Sequence, residues 1–325
     1  MIEKRTYARA AIVGNPSDGY YGKTIAFTFE QFSANCALEK SKEMTIKLDN
    51  IERKYSNIDE IKNKKSGEYD KEIGIIEATI KKFYEYSKVK DNSNLLISCK
   101  SNIPKQVGFA GSSAIITSLM KCLIELYNIE IKKEILPNII LSVETEELGI
   151  AAGLQDRVVQ VYQGLVYMDF SKNLIEEKGY GNYENLNLKK MPNFFIAYSL
   201  IGDEASGVFH NNIKERFLAG DEKVINMMKN VASYAAEAKE CLLEGDNEKL
   251  AMLMNENFNR RREIYNLSKR NIRMIEIARE LNSCSNFTGS GGACVGIYQN
   301  NEMLENLKEA YKKEKFGVII PKIKR

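Results

Sequence analysis

The 325-residue chain has no tryptophan and a single histidine, and it carries only five prolines and six cysteines. With His210 alone, a site built on several histidines is excluded, and a Ser-His-Asp hydrolase is open only through that residue. Its Val-Phe-His-Asn-Asn context reads as a plain loop or helix-cap position. Cys36, Cys99, Cys122, Cys241, Cys284 and Cys294 are widely spread, form no C-x-x-C pair and lie mostly in apolar runs, so they read as reduced core thiols. A basic excess is also missing. Lys plus Arg total 47 against 44 for Asp plus Glu, a net charge of +3 that argues against a nucleic-acid partner. No run approaches the ~20 uncharged apolar residues of a membrane span, and the apolar stretch 10–14 is too short for a signal-peptide core. A cytoplasmic protein with no membrane partner is expected.

What is present suits a globular enzyme-sized chain, since 44% apolar residues can fill one large core or two ordinary ones. Strands are predicted at 7–13, 24–38, 43–49, 95–101 and 164–170, and helices at 73–88, 114–127, 132–148 and 153–162. The charged stretch 52–70 reads as an exposed excursion. Polar, Asn-rich 171–192 reads as a connector, which divides the chain into 1–175 and 176–325. The second part shows a strand at 194–199, three amphipathic helices across roughly 205–282 and a glycine turn at 289–292. A strand at 293–298, a helix at 302–314 and a strand at 317–321 complete it. Loose alternation of helices and strands predicts an α+β fold with two lobes.

Two segments carry chemistry. The loop 104–114 reads Pro104-Lys105-Gln106-Val107-Gly108-Phe109-Ala110-Gly111-Ser112-Ser113-Ala114 and joins a strand to a strongly apolar helix. Gly108 and Gly111 permit close backbone approach, and the helix entrance turns unpaired N–H groups and its positive dipole end toward an anion. On these residues alone, a phosphate site and an ordinary serine-capped helix fit equally. No Gly-Lys-Ser/Thr follows, so it is not a Walker loop. The second segment runs from Glu144 through Gly153-Leu154-Gln155-Asp156-Arg157, and places Asp156 at a helix start, where it is either a cap or a working carboxylate.

These strings resemble the GHMP kinases, the superfamily named for galactokinase, homoserine kinase, mevalonate kinase and phosphomevalonate kinase. Its central motif, Pro-x-x-x-Gly-Leu-Gly/Ala-Ser-Ser-Ala, is similar to 104–114 with one extra residue, Gly111, before the serines. Arg9 through Asp18 resembles the family's first motif, although Asn15-Pro16 stands where sugar kinases often have Glu-His. Thr288-Gly289-Ser290-Gly291-Gly292-Ala293-Cys294 resembles the C-terminal glycine-rich segment. The likeness spans nearly the whole chain. It implies a ribosomal-protein-S5-like N-terminal lobe, a ferredoxin-like C-terminal lobe, and ATP with Mg2+ as cofactors.

By the same resemblance, Pro104, Lys105, Gly108, Ala110, Gly111, Ser112, Ser113 and Ala114 would bind ATP, and Ser113 with Glu144 would hold the metal. Glu146 and Glu147 are rivals for Glu144. Asp156 would orient the acceptor hydroxyl with Arg9 beside it, and Asn15, Ser17, Asp18 and Gly291 would contact the substrate. Arg157 is read as a salt-bridge partner or a clamp on a substrate carboxylate, and Lys23, Arg157 and Arg9 as candidate cations for a uronate.

Several of these strings look like the glucuronokinase branch, which implies ATP-dependent phosphorylation of the anomeric hydroxyl of a sugar acid such as D-glucuronate. Another acceptor (a neutral sugar, a heptose phosphate or a mevalonate-like alcohol) and a non-catalytic nucleotide or sugar sensor are the alternatives.

Overall fold

Two long strands, β1 (Ile2–Val13) and β2 (Lys23–Lys40), pair with each other and set the architecture. Both are rich in β-branched and aromatic residues without helical spacing. The structure is a computed structural model that describes residues 1–201 and 207–324, without side chains at 207–212. It divides into two units, Met1–Ala8 with Phe32–Ile103 and Ala110–Tyr162, and Arg9–Gln31 with Pro104–Phe109 and Gln163–Arg325. The units interleave along the chain, whereas sequence reading placed one cut at 175. The reason is physical: β1 and β2 are long enough for each to contribute residues to both units.

In the first unit the later half of β2 pairs antiparallel with β5 (Leu95–Ser101). β5 runs parallel to β3 (Met44–Leu48), which forms a hairpin with β4 (Ile51–Tyr55). The predicted excursion at 52–70 is thus partly regular, holding β4 and the short helix α1 (Ile58–Lys62), which Asn57 caps through its side chain. Helices α2 (Gly74–Ser87), α3 (Gly111–Leu126), α4 (Leu136–Ser142) and α5 (Gln155–Tyr162) complete the unit. Its core joins Leu38, Ile46 and Ile97 of the sheet to Phe83, Leu119 and Ile140 of the helices. Cys36 and Cys99 face each other across β2 and β5 and are joined in a disulfide. This corrects the reading of six reduced thiols, because the pairing depends on strand register that spacing along the chain does not reveal. Cys122, Cys241, Cys284 and Cys294 are buried free thiols.

In the second unit the earlier half of β2 pairs with β6 (Leu165–Asp169), and β6 pairs with β7 (Asn182–Asn185). The predicted connector at 171–192 therefore holds β7 and the helix α6 (Lys172–Lys178). The remaining chain contributes β8 (Phe194–Ser199), α7 (Gly207–Leu218), α8 (Glu222–Glu244), α9 (Asn247–Ile264) and α10 (Lys269–Glu280). β9 (Cys284–Phe287), β10 (Ala293–Ile297), α11 (Asn301–Lys313) and β11 (Phe316–Ile319) follow. Among the described residues four helices thus stand where three were predicted, since Gly220 and Asp221 end α7 and cap α8. His210 falls within α7 rather than a loop, and its side chain lies outside the described residues. The antiparallel sheet has the order β11-β8-β10-β9, which is the fourth-first-third-second arrangement of a ferredoxin-like unit. Both units are α+β, as the sequence indicated, and no helix among the described residues is long and apolar enough to cross a membrane.

Between α4 and α5 the helix widens into one π-helical turn, Val143–Glu147, closed by the Leu148 N–H donating to Val143 O at 3.3 Å. The wider turn buries both Glu144 and Glu147 and leaves Thr145 and Glu146 exposed. Glu147 is held by Lys81 Nζ at 2.8 Å, Lys82 Nζ at 2.9 Å and the Tyr69 hydroxyl. Burial by itself would raise its carboxyl, but the bonds from Lys81, Tyr69 and Lys82 outweigh that and bring it from 4.5 down to about 2. A depressed folded-state value adds stability above the unfolded value and loses it as pH falls toward the folded one. The stability gap between wild type and Glu147→Gln in urea melts is therefore expected to be full at neutral pH and to close as pH drops from 4.5 to about 2. A gap that stays constant across that window would contradict this account.

Candidate active site

Ala110, with φ 59°, precedes α3, and no side chain caps the helix. The first backbone bond of the helix is Ala114 N–H to Ala110 O at 3.1 Å, so the amides of Gly111, Ser112 and Ser113 lie ahead of the ladder. An alanine in the left-handed region is a strained residue kept at the point where the loop must turn. The serines lie inside the first turn rather than at the cap. Ser112 is exposed and donates its hydroxyl to Glu144 Oε1 at 2.7 Å. Ser113 is fully buried and donates to Gln160 Oε1 at 2.6 Å. Gln160 Nε2 in turn donates to Ala110 O at 2.9 Å and Tyr7 O at 3.2 Å, pinning the turn from below.

Glu144 therefore meets Ser112, not the Ser113 that sequence reading paired with it. It is 1% exposed, and its other carboxylate oxygen binds Arg157 Nη2. Arg157 Nη1 lies 3.5 Å from Asp156 Oδ2 and donates to Gly153 O at 2.8 Å. A continuous line of polar groups, Ser112, Glu144, Arg157 and Asp156, thus joins the head of α3 to the head of α5. Glu146 pairs with Lys82 in solvent and Glu147 is tied to lysines, so of the three rivals Glu144 alone reaches a serine of the loop. Arg157 is the ion-pair partner it was read to be. Among the described residues no cluster of three or more His, Cys, Asp or Glu side chains is placed to hold a metal. One carboxylate and one hydroxyl remain a fitting donor set for Mg2+, which commonly binds through few protein oxygens together with substrate phosphates.

The first and third motifs and the first part of the loop belong to the second unit. Arg9, 4% exposed, donates through Nη1 to Gly108 O at 2.6 Å and to Thr288 O. The glycine turn packs backbone against backbone with the loop: a Cβ on Gly292 would sit 2.8 Å from Val107 Cα, and one on Gly108 would sit 2.8 Å from Gly291 O. Gly291 itself lies against Asn271, whose Oδ1 accepts from Gly292 N–H at 2.8 Å. Lys105 is exposed and Pro104 half-buried.

Asn15 and Ser17 differ from their predicted role. Asn15 is 2% exposed, and its carboxamide donates to Phe287 O at 2.9 Å and accepts from Asn286 Nδ2 at 3.3 Å. Ser17 is fully buried and donates to Lys23 O at 3.1 Å. Both side chains are engaged inside the protein, so they shape the turn rather than present groups to a substrate. Asp18 sits in a 3-10 turn, Ser17–Tyr20, and is half-buried. Lys23, a candidate uronate cation, is paired with Asp169 at 3.4 Å.

Sequence reading missed Gln160, Asn257 and Arg261. Gln160 lies one helical turn after Asp156, a spacing that shares a face. Asn257 and Arg261 sit on α9, where only an ordinary amphipathic pattern is visible. Asn257 accepts from Gly14 N–H at 2.6 Å and donates to Asn15 O at 3.0 Å, so α9 grips the turn that carries Asp18.

A GHMP kinases N terminal domain model matches residues 74–164, and a GHMP kinases C terminal model matches residues 238–317. Glucuronokinase 1 of Arabidopsis thaliana is 41% identical over 306 residues, which cover 90% of this chain and 84% of that protein. Probable glucuronokinase 2 of the same plant is 39% identical over 317 residues, 91% and 84% of the two chains. The mevalonate kinase of Methanococcus jannaschii matches in structure with a TM-score of 0.79 at 19% identity, over 100% of this chain and 98% of its own. Lactococcus lactis galactokinase complexed with galactose matches at 0.75 and 14%, over 99% and 93%. The structural likenesses speak for the fold. The chain belongs to the GHMP kinases.

Gly108 has φ +67° and a backbone oxygen where a Cβ would go, so Gly108→Ala is expected to cost about 1–3 kcal/mol of thermal stability or to displace the loop. Ala110→Gly relaxes a left-handed alanine and is expected to stay within about 1 kcal/mol of wild type. Calorimetric melts of both check this, and equal effects at the two positions would contradict the packing described.

Proposed function

We propose that this chain is an ATP-dependent sugar 1-kinase that transfers the γ-phosphoryl group to the anomeric hydroxyl of D-glucuronate. The reading of the acceptor is carried by identity of about two residues in five to two glucuronokinases over most of the chain. The reading of the chemistry is carried by the Ser112, Glu144, Arg157 and Asp156 line at the head of α3.

Phosphoryl transfer asks for positioning and neutralisation of charge more than for a strong base. In our assignment the amides opening α3 bind the nucleotide phosphates. Glu144 with Ser112 would hold Mg2+, which supplies positive charge to the phosphate oxygens when bound; Ser113, turned to Gln160, holds the loop in shape. Asp156, with a side chain 19% exposed, accepts the hydrogen bond of the C1 hydroxyl and takes its proton as the oxygen bonds to the γ-phosphorus. The bond from phosphorus to the β,γ-bridging oxygen breaks, ADP leaves, and the proton passes to solvent. Arg157 keeps the two carboxylates apart and oriented. Arg9 fastens the Gly108 and Thr288 carbonyls, and Asp18 addresses sugar hydroxyls.

Incubation with ATP, Mg2+ and a panel of uronates and hexoses, read by phosphorus NMR, tests the reaction. D-Glucuronate is expected to give an anomeric phosphate. Asp156→Asn is expected to lower kcat by about 10²–10⁴-fold with nucleotide affinity nearly unchanged. Indifference to every sugar acid, or full turnover by the variant, would contradict the assignment.

A further inference from the structure

Arg261 is the buried cation that the proposed chemistry leaves without a task. It is 1% exposed, on α9 one turn beyond Asn257, and its only hydrogen bond among the described residues is from Nη1 to Gly289 O at 2.7 Å. No carboxylate among the described residues comes within 4 Å of it, and Nε, fully buried, meets no acceptor. Nη2 meets no acceptor among the described residues. Nε–H and Nη2–H form one edge of the guanidinium, two parallel donors spaced for the two oxygens of a carboxylate.

Its surroundings are apolar. The guanidinium carbon lies 5.1 Å from the Tyr265 ring centre and 5.2 Å from that of Phe287, and burial pulls its proton affinity down. Arginine nevertheless stays charged in a protein, and a buried charge with no counter-ion is costly. The nearby charges acting on it are Asp18 and Arg9, from the first motif, and its one bonded partner, Gly289, belongs to the glycine turn of the third motif. α9 thus sets the guanidinium against the glycine turn of the third motif, with the charge of Asp18 acting on it.

We infer that Arg261 is the specificity-determining residue that receives the carboxylate of the acceptor through its Nε–H and Nη2–H edge. The inference rests on the acceptor class proposed above and supplies the cation that such an acceptor requires. It also separates the role from Lys23, which is paired with Asp169, and from Arg157, which is paired with Glu144.

The test compares D-glucuronate with its uncharged amide, D-glucuronamide, as acceptors for wild type, Arg261→Met and Arg261→Lys. The preference of kcat/KM for acid over amide is expected to fall by about 100-fold in Arg261→Met. It is expected to fall part of the way in Arg261→Lys, which keeps charge but loses the fork. An unchanged preference in a folded variant, with both acceptors declining together, overturns the inference and leaves the kinase reading standing. Wild type that phosphorylates neutral sugars but no sugar acid overturns both. Should the variants not fold, the arginine ¹⁵Nε–H spectrum of wild type decides: a resonance moved by glucuronate and not by the amide supports the inference, and no such resonance overturns it.

Discussion

The head of α3 depends on one buried carboxylate. Glu144 is almost wholly out of water, with a guanidinium on one oxygen and a hydroxyl on the other. Taking away either charge of such a pair strands the other and costs about 3–5 kcal/mol. The pair therefore holds α5, the π-helical turn and the first turn of α3 in one arrangement. Asp156 inherits its orientation from this arrangement, because Arg157 reaches it from the same guanidinium. The unbonded amides of Gly111 and the serines are fixed by the same contacts, reinforced from beneath by Gln160.

In the second unit a similar economy uses backbone rather than charge. Gly108, Gly289 and Gly292 let two stretches of main chain touch where a side chain would intrude. Arg9 closes the contact by giving hydrogen bonds to a carbonyl from each stretch. Asn257 and Arg261, one turn apart on α9, extend the same framework to Gly14, Asn15 and Gly289. Side chains that sequence alone would hand to a ligand, Asn15 and Ser17 among them, are used up in holding these turns.

Much of the fold was legible, because α2, α3, β2 and β5 have strong periodicity and clear boundaries. The stretches 52–70 and 171–192 were not, since β4 and β7 are short and polar edge strands whose partners supply the order. The interleaving of the two units was also hidden, because it follows from how far β1 and β2 run. In the candidate site, the glycine and serine loop before α3 and the carboxylates Asp156 and Glu144 stand out in their strings. The choice between Ser112 and Ser113 could not, as it turns on how far the helix has rotated when it leaves Ala110. Arg261 was invisible because burial of an arginine in an amphipathic helix is decided by packing, not by spacing.

The direct measurement is a calorimetric titration of a non-hydrolysable ATP analogue into wild type and Ser112→Ala, each with and without Mg2+. If Glu144 and the Ser112 hydroxyl share the metal, Mg2+ should strengthen binding to wild type, and the variant should lose about tenfold of that gain. An undiminished gain in Ser112→Ala, or a loss seen in Ser113→Ala alone, would contradict the placement of Glu144 at the centre of the site.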